Sequence, residues 1–310
     1  MTFYILGLAI LSVFPFCKIA FFKQPVWLWL LMLSMLSAAL EGYINIVGLV
    51  AITFYVALYY GTLNIKQPII NKVITILFIA TALGLALHYV PGFNNLPIVV
   101  NEQISSDAIA YTLYANFDKA IAGLLLSAYY FSTLAPKRQR TLDSKGIDSK
   151  SIDLKSIDSK SLSSKKLTLK QPALIIIGTI LATLIVALLL GIVRFNPKVP
   201  DFWLAFIAIN LLFTCVAEEA LFRGLLQTKL SQQIISTRFA ILAPIIIACI
   251  FALAHFMGGV NYILVSAVAG FGYGYIFYKT QRLEWAILCH WLVNVCHFFL
   301  FTYPMIKLQA

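Results

Sequence analysis

Three short groupings of polar side chains stand inside an otherwise apolar chain. The first is Glu218-Glu219-x-x-x-Arg223. On a helix Glu219 and Arg223 sit one turn apart, share a face and can neutralise one another. Glu218 lies about 100° round the same helix and is left without that partner. An unpaired carboxylate in a low-dielectric setting is suited to act as a general base near neutral pH. The second grouping is Phe251-x-x-x-His255 and the third is His290-x-x-x-Asn294. His290 and Asn294 share a helix face, pairing a proton carrier or ligand with a neutral hydrogen-bonding amide, and His297 at i+7 can join them. Each grouping alone also has a structural reading. The first could be an ion-pair network or a helix end at the headgroups, and each histidine a hydrogen-bonded packing residue. Ionisable groups at membrane depth are costly and usually functional, and only 12 residues of the whole chain are acidic, two of them adjacent here.

The elements that must position these residues are membrane helices. The 310 residues are 61% hydrophobic and 11% charged, with a mean hydropathy of +0.90, whereas a soluble domain carries about 25% charged residues. Apolar segments of the length a bilayer needs, about 20 residues, fall at 2–17, 26–41, 44–63, 72–90, 119–135, 173–194, 202–226, 238–258, 260–278 and 284–303. The expected fold is therefore an all-α polytopic transmembrane bundle of about ten spans, or nine if the second and third merge. The first segment reads as a retained helix, since no basic stretch precedes it and no small-residue cleavage site follows it. Cys17, Cys215, Cys249, Cys289 and Cys296 lie in or at the ends of apolar segments without paired spacing, as small buried hydrophobes do.

Charge orients the bundle. With the N-terminus outside and ten alternating spans, only Lys119, Arg194, Lys198 and Lys307 fall outside, and the other 19 of 23 basic residues lie inside, as the positive-inside rule requires. The net charge of +11 is thus a topology signal and a solvated linker, with no call on nucleic acid. From Leu142 to Gln171 the chain repeats every five residues on the pattern IDSKS. Such a segment has too few large apolar groups to form a core and reads as a cytoplasmic linker. The chain thus divides into an N-terminal transmembrane region of about five helices (1–135), a linker (136–171) and a C-terminal transmembrane region (172–310) that holds the chemistry. The outside loop at about 91–118 is expected to carry a short surface helix and no site. Gly270, Gly272 and Gly274 read as close helix packing beside the site.

Taken in order on successive apolar segments, the three groupings resemble the CPBP family: the type II CAAX prenyl endopeptidases and their bacterial relatives, also called Abi. The resemblance covers about residues 201–300. It implies an all-helical membrane fold and an intramembrane endopeptidase, commonly described as a metalloprotease, in a bacterial inner membrane. By that resemblance Glu218 and His255 activate water, His290 and Asn294 stabilise the oxyanion, and Glu219, Arg223 and Phe251 support them. Glu218, His255 and His290 could hold zinc or another divalent metal, or the water could be activated without one; both stay open. The implied partners are a membrane-associated peptide or protein substrate and the lipid bilayer. Linear topology puts His255 toward the outer side and His290 toward the inner, a tension that a tilted or re-entrant helix removes. No His-Glu-x-x-His, no Gly-x-Ser-x-Gly and no paired intramembrane aspartates occur. The rival from another class is a non-catalytic membrane protein of the same fold: an immunity factor, a scaffold or a transporter.

Overall fold

In a computed structural model the described residues are 1–17, 19–136, 169–234 and 236–307. Most of the linker and its repeat therefore lies outside the described residues. Ten helices are present among them, in the expected order. They are α1 (Thr2–Val13), α2 (Val26–Leu40), α3 (Ile46–Asn64), α4 (Pro68–Ala86), α5 (Phe117–Tyr129, continued as a π-helix over Tyr130–Leu134) and α6 (Lys170–Leu189), followed by α7 (Trp203–Gln233), α8 (Leu242–Leu253), α9 (Val260–Thr280) and α10 (Leu283–Leu300). The protein is an all-α membrane bundle. Of these helices α3, α4, α6, α7, α9 and α10 are each long and apolar enough to cross a membrane, while α1, α2 and α8 are apolar but shorter. The separate second and third helices rule out the merged, nine-helix arrangement: the chain turns between them through Gly42, whose φ is 77°.

The surface identifies the solvent these helices need. On α4 only 17% of its most apolar stretch is buried inside the protein, and large side chains such as Leu181 and Ile185 of α6 face outward. Contiguous exposed apolar area of this kind is covered by lipid. Local chemistry sets the helix starts. The Asn45 side chain accepts from the backbone N–H groups of Val47 and Gly48 at the head of α3, and Pro68 opens α4 where its missing N–H costs nothing. Pro15 follows the end of α1 and gives a 3₁₀ turn over Pro15–Cys17, so the first helix stops short of the expected residue 17.

The loop at 91–118 differs from expectation. Instead of a surface helix it forms an antiparallel hairpin, strands Leu96–Glu102 and Tyr111–Ala115. The run Ile98-Val99-Val100 is β-branched and fits a pleated, half-buried surface better than a helix. This hairpin packs over one end of the bundle with the other loops of that end. Ala108 bridges Ile306, Phe195 bridges Phe301 and Ile44 bridges Phe93. The amino terminus approaches Glu41 at 3.9 Å. Residue 1, the loops at 41–45, 91–116 and 192–200, and the segment 301–307 thus gather on one side of the bundle.

Candidate active site

Helix α7 carries the paired glutamates and is not a plain α-helix. It passes through a π-helical stretch at Asn210–Cys215, a short α-helical piece at Val216–Glu219, and a second π-helical stretch at Ala220–Gln227. A π-bulge widens the backbone and re-aims side chains, and such bulges recur at functional sites. Glu218 and Glu219 lie between two of them.

Glu219 is the buried, structural carboxylate that helix geometry suggests. Its side chain is 0% exposed, as is that of Arg223. Its Oε1 accepts from Arg223 Nη1 at 2.9 Å and also contacts His290 Nδ1 at 2.8 Å. Arg223 Nη2 donates to the Gly270 carbonyl at 2.7 Å, and the guanidinium lies 4.8 Å from the centre of the Phe251 ring and 5.3 Å from that of Tyr273. One turn later Gln227 repeats the crossing, donating to the Gly274 carbonyl at 2.8 Å. These contacts need α7 and α9 close together. Gly274 provides room on that side, since a Cβ there would lie 3.0 Å from Gln227 Oε1, and Gly270 does the same toward α8, where a Cβ would lie 2.9 Å from the Phe251 ring. The glycine stripe is therefore helix packing, as its composition indicates.

Glu218 departs from expectation. It is not unpaired, because Lys119 Nζ of α5 lies 2.8 Å from its Oε1. Both side chains are mostly covered, at 19% and 18% exposed. The two helices meet at Gly123, where an added Cβ would stand 2.8 Å from the Ala217 Cα. Lys119 is one turn before Gly123 and so lies along the same face of α5. Lys119, expected at the outer head of the span 119–135, lies in the first turn of α5, which begins at Phe117 and takes the lysine into the bundle.

The histidines and the amide come together. His255 stands beyond the end of α8, in a turn that leads through Gly259 (φ 83°) directly into α9. The expected span 238–258 is thus a helix of 12 residues, Leu242–Leu253, followed by a turn. This short helix with its turn is the physical resolution of the depth tension. His255 Nδ1 lies 2.8 Å from the Phe251 carbonyl. A carbonyl can only accept, so Nδ1 carries the proton and a neutral His255 presents a basic Nε2. His290 is buried, stacks on Tyr273 with ring centres 4.5 Å apart, and directs Nδ1 at Glu219. Asn294 Nδ2 donates to Asn210 Oδ1 at 3.2 Å, bringing a polar residue of the first π-stretch into the group. His255, His290, Asn294 and His297 line one cavity of about 70 Å³, with Phe251, Tyr262 and Tyr273 among its other walls. Glu218 is not on that wall, but His255 and His290 join Lys119 as the cations or potential cations acting on it. Tyr262 and Tyr273 carry no polar signal at sequence level, and only their proximity marks them.

The donor set Glu218, His255 and His290 does not assemble as a metal centre. Among the described residues no three His, Cys, Asp or Glu side chains form a group that could hold a metal ion. The ammonium of Lys119 lies against Glu218 Oε1, and His290 Nδ1 is directed at Glu219.

The comparison with known families meets this geometry. Residues 200–296 match the family model described as Type II CAAX prenyl endopeptidase Rce1-like. The segment is Rce1-like. It runs from Pro200 to Cys296, under a third of the chain, and takes in Glu218, Glu219, Arg223, Phe251, His255, His290 and Asn294. Lys119 lies outside the Rce1-like segment, as do α1 to α6. No curated protein and no solved structure matches the chain.

Proposed function

We propose that this integral membrane protein is a CAAX-protease-type hydrolase, an intramembrane endopeptidase cutting a peptide bond in or next to the bilayer. The observation that carries the reading is the meeting of His255, His290 and Asn294 on one cavity, with Glu218 in electrostatic reach, inside the Rce1-like segment. Glu218 takes a proton from water through Oε2, with Oε1 held by Lys119, and His255 Nε2 orients that water. Hydroxide oxygen bonds to the carbonyl carbon. The developing oxyanion is stabilised by the Asn294 amide and by His290 in its protonated form, a role in which preorganised donors are most effective. The proton returns to the leaving nitrogen as the C–N bond breaks, giving an amine and a carboxylic acid, whose remaining proton passes to the amine to leave a carboxylate and an ammonium. No step passes through a metal. The substrate is a membrane-associated peptide or protein, the membrane the bacterial cytoplasmic one, the linker cytoplasmic, and catalysis is confined to the region 172–310 with support from 1–135.

The test uses the purified full chain in lipid nanodiscs and an internally quenched peptide ending in an S-farnesylated CAAX box, with a mass-spectrometric screen of unprenylated membrane peptides beside it. Glu218→Gln and His255→Ala should each lower kcat by about 10²–10⁴, the range that general acid–base groups contribute. Wild-type turnover by Glu218→Gln would refute the assignment, and a chain that cuts nothing in either assay while retaining its cellular phenotype would favour a non-catalytic role.

A further inference from the structure

The helices before the linker contribute a charged side chain to the centre of the Rce1-like segment. Lys119 crosses from α5 to Glu218, 99 positions along the chain, at 2.8 Å. Three observations show that the contact is built rather than incidental. The helices that carry the two residues approach at Gly123, where even a methyl group would strike the backbone of Ala217. The start of α5 is fixed from outside the helix: Asn95 Oδ1 accepts from the Phe117 N–H at 2.8 Å, Asn95 Nδ2 donates to Asp118 Oδ1 at 3.2 Å, and Asp118 Oδ2 lies 2.7 Å from His88 Nδ1. Asp118, the nearest competing carboxylate in sequence, is thereby engaged elsewhere and leaves Lys119 to Glu218.

We propose that Lys119 is a positioning residue of the hydrolytic site, which holds Glu218 as a carboxylate with one oxygen fixed and makes the N-terminal helices a required part of the site. The proposal rests on the reading of Glu218 as the base. The physical argument is that a carboxylate among the apolar side chains of α7 and its neighbours keeps its charge only beside a cation. The other titratable groups coupled to it electrostatically are His255 from the turn after α8, Tyr262 from α9, His290 from α10 and Cys215 from α7 itself. Lys119 is the one whose side chain makes a hydrogen-bonded ion pair with Glu218, at 2.8 Å.

Dicyclohexylcarbodiimide, an apolar reagent that modifies protonated carboxyls and spares ion-paired ones, reads this charge without any substrate. The full chain in nanodiscs is treated near neutral pH and the modified residue located by tandem mass spectrometry. Glu218 should resist in the wild type and in Lys119→Arg. It should label at least tenfold faster in Lys119→Met and in Lys119→Gln, the latter keeping a hydrogen-bonding group of similar length so that the fold is retained. With the farnesylated peptide, the neutral variants should lose kcat by tenfold or more at little change in KM, and Lys119→Arg should recover most of it. Labelling of Lys119→Gln at the wild-type rate would overturn the proposal. Because labelling needs no turnover, that result leaves the hydrolytic reading standing, whereas full activity of Glu218→Gln sinks the hydrolytic reading whatever the labelling shows.

Discussion

Arg223 is the largest fully buried side chain among the described residues, and its replacement by methionine gives the sharpest test of the site's framework. Methionine keeps the volume and removes the charge. Three interactions go with it: the 2.9 Å ion pair to Glu219, the 2.7 Å hydrogen bond to the Gly270 carbonyl, and the seating of the guanidinium over Phe251 and Tyr273. Breaking a buried pair from one side costs about 3–5 kcal/mol, because the remaining charge is stranded. Cation–π contacts in a desolvated site add up to about 2 kcal/mol. Against this, Glu219 retains its 2.8 Å hydrogen-bonding contact with His290 Nδ1, so it is not left without a partner. The expected net loss is therefore near the lower bound, about 3 kcal/mol, on the order of 100-fold in the unfolding equilibrium. Titration with SDS in mixed bicelles, followed by tryptophan fluorescence, measures it. A double-mutant cycle with Glu219→Gln isolates the pair and should return a coupling of about 2 kcal/mol, within the range for residues sharing one network. Unfolding of Arg223→Met within about 0.5 kcal/mol of wild type, a size typical of inconsequential surface changes, would mean that the α7–α9 crossing is held by packing alone.

Two further outcomes follow from the geometry. Gly123→Ala forces α5 away from the Ala217 backbone and should cost about 1–3 kcal/mol, the usual penalty for overpacking. Gly178→Ala, with nothing within 4 Å of the added methyl, should be neutral or slightly stabilising in the same titration. At the hairpin, burial pushes the Tyr111 hydroxyl up to about 12 from 10.0. A folded-state value above the unfolded one gives stability that is complete below pH 10 and is lost as pH rises from about 10 toward 12; Tyr111→Phe should remove that alkaline loss, on the order of 2 kcal/mol, in a thermal-unfolding series across those pH values.

The sequence carries the helix inventory well and the site only in part. Length and apolarity alone locate ten segments, because a bilayer demands nearly continuous apolar runs. The pairing of Glu219 with Arg223 is local, one helical turn, and is therefore legible. The partner of Glu218 is not, since it lies on another helix and periodicity is blind to contacts between elements. Lys119 opens the apolar run 119–135 and so counts as a flanking topology charge, because nothing in the run itself tells that the lysine turns inward to a partner on another helix. The hairpin at 96–115 was hidden by the prolines around it, although its β-branched run was in view. The π-helical stretches of α7 have no signature in composition, yet they flank the two residues on which the chemistry turns. His255 read as a span residue because the apolar run continues past Leu253, where the helix itself ends.

The distance along the chain between Lys119 and Glu218 also bears on biogenesis. Ribosomes add roughly 5–20 residues per second, so the lysine enters the translocation machinery some 5–20 s before the glutamate, 99 positions later, has been made. During that interval Lys119 has no Glu218 to pair with, on a helix that is not among those long and apolar enough to cross a membrane. Asp118 and His88 are already synthesised and can anchor the start of the helix, but the Lys119–Glu218 contact awaits α7. The two halves of the site are therefore joined only once α7 has been made, and a chain truncated before Glu218 is expected to leave Lys119 without this partner.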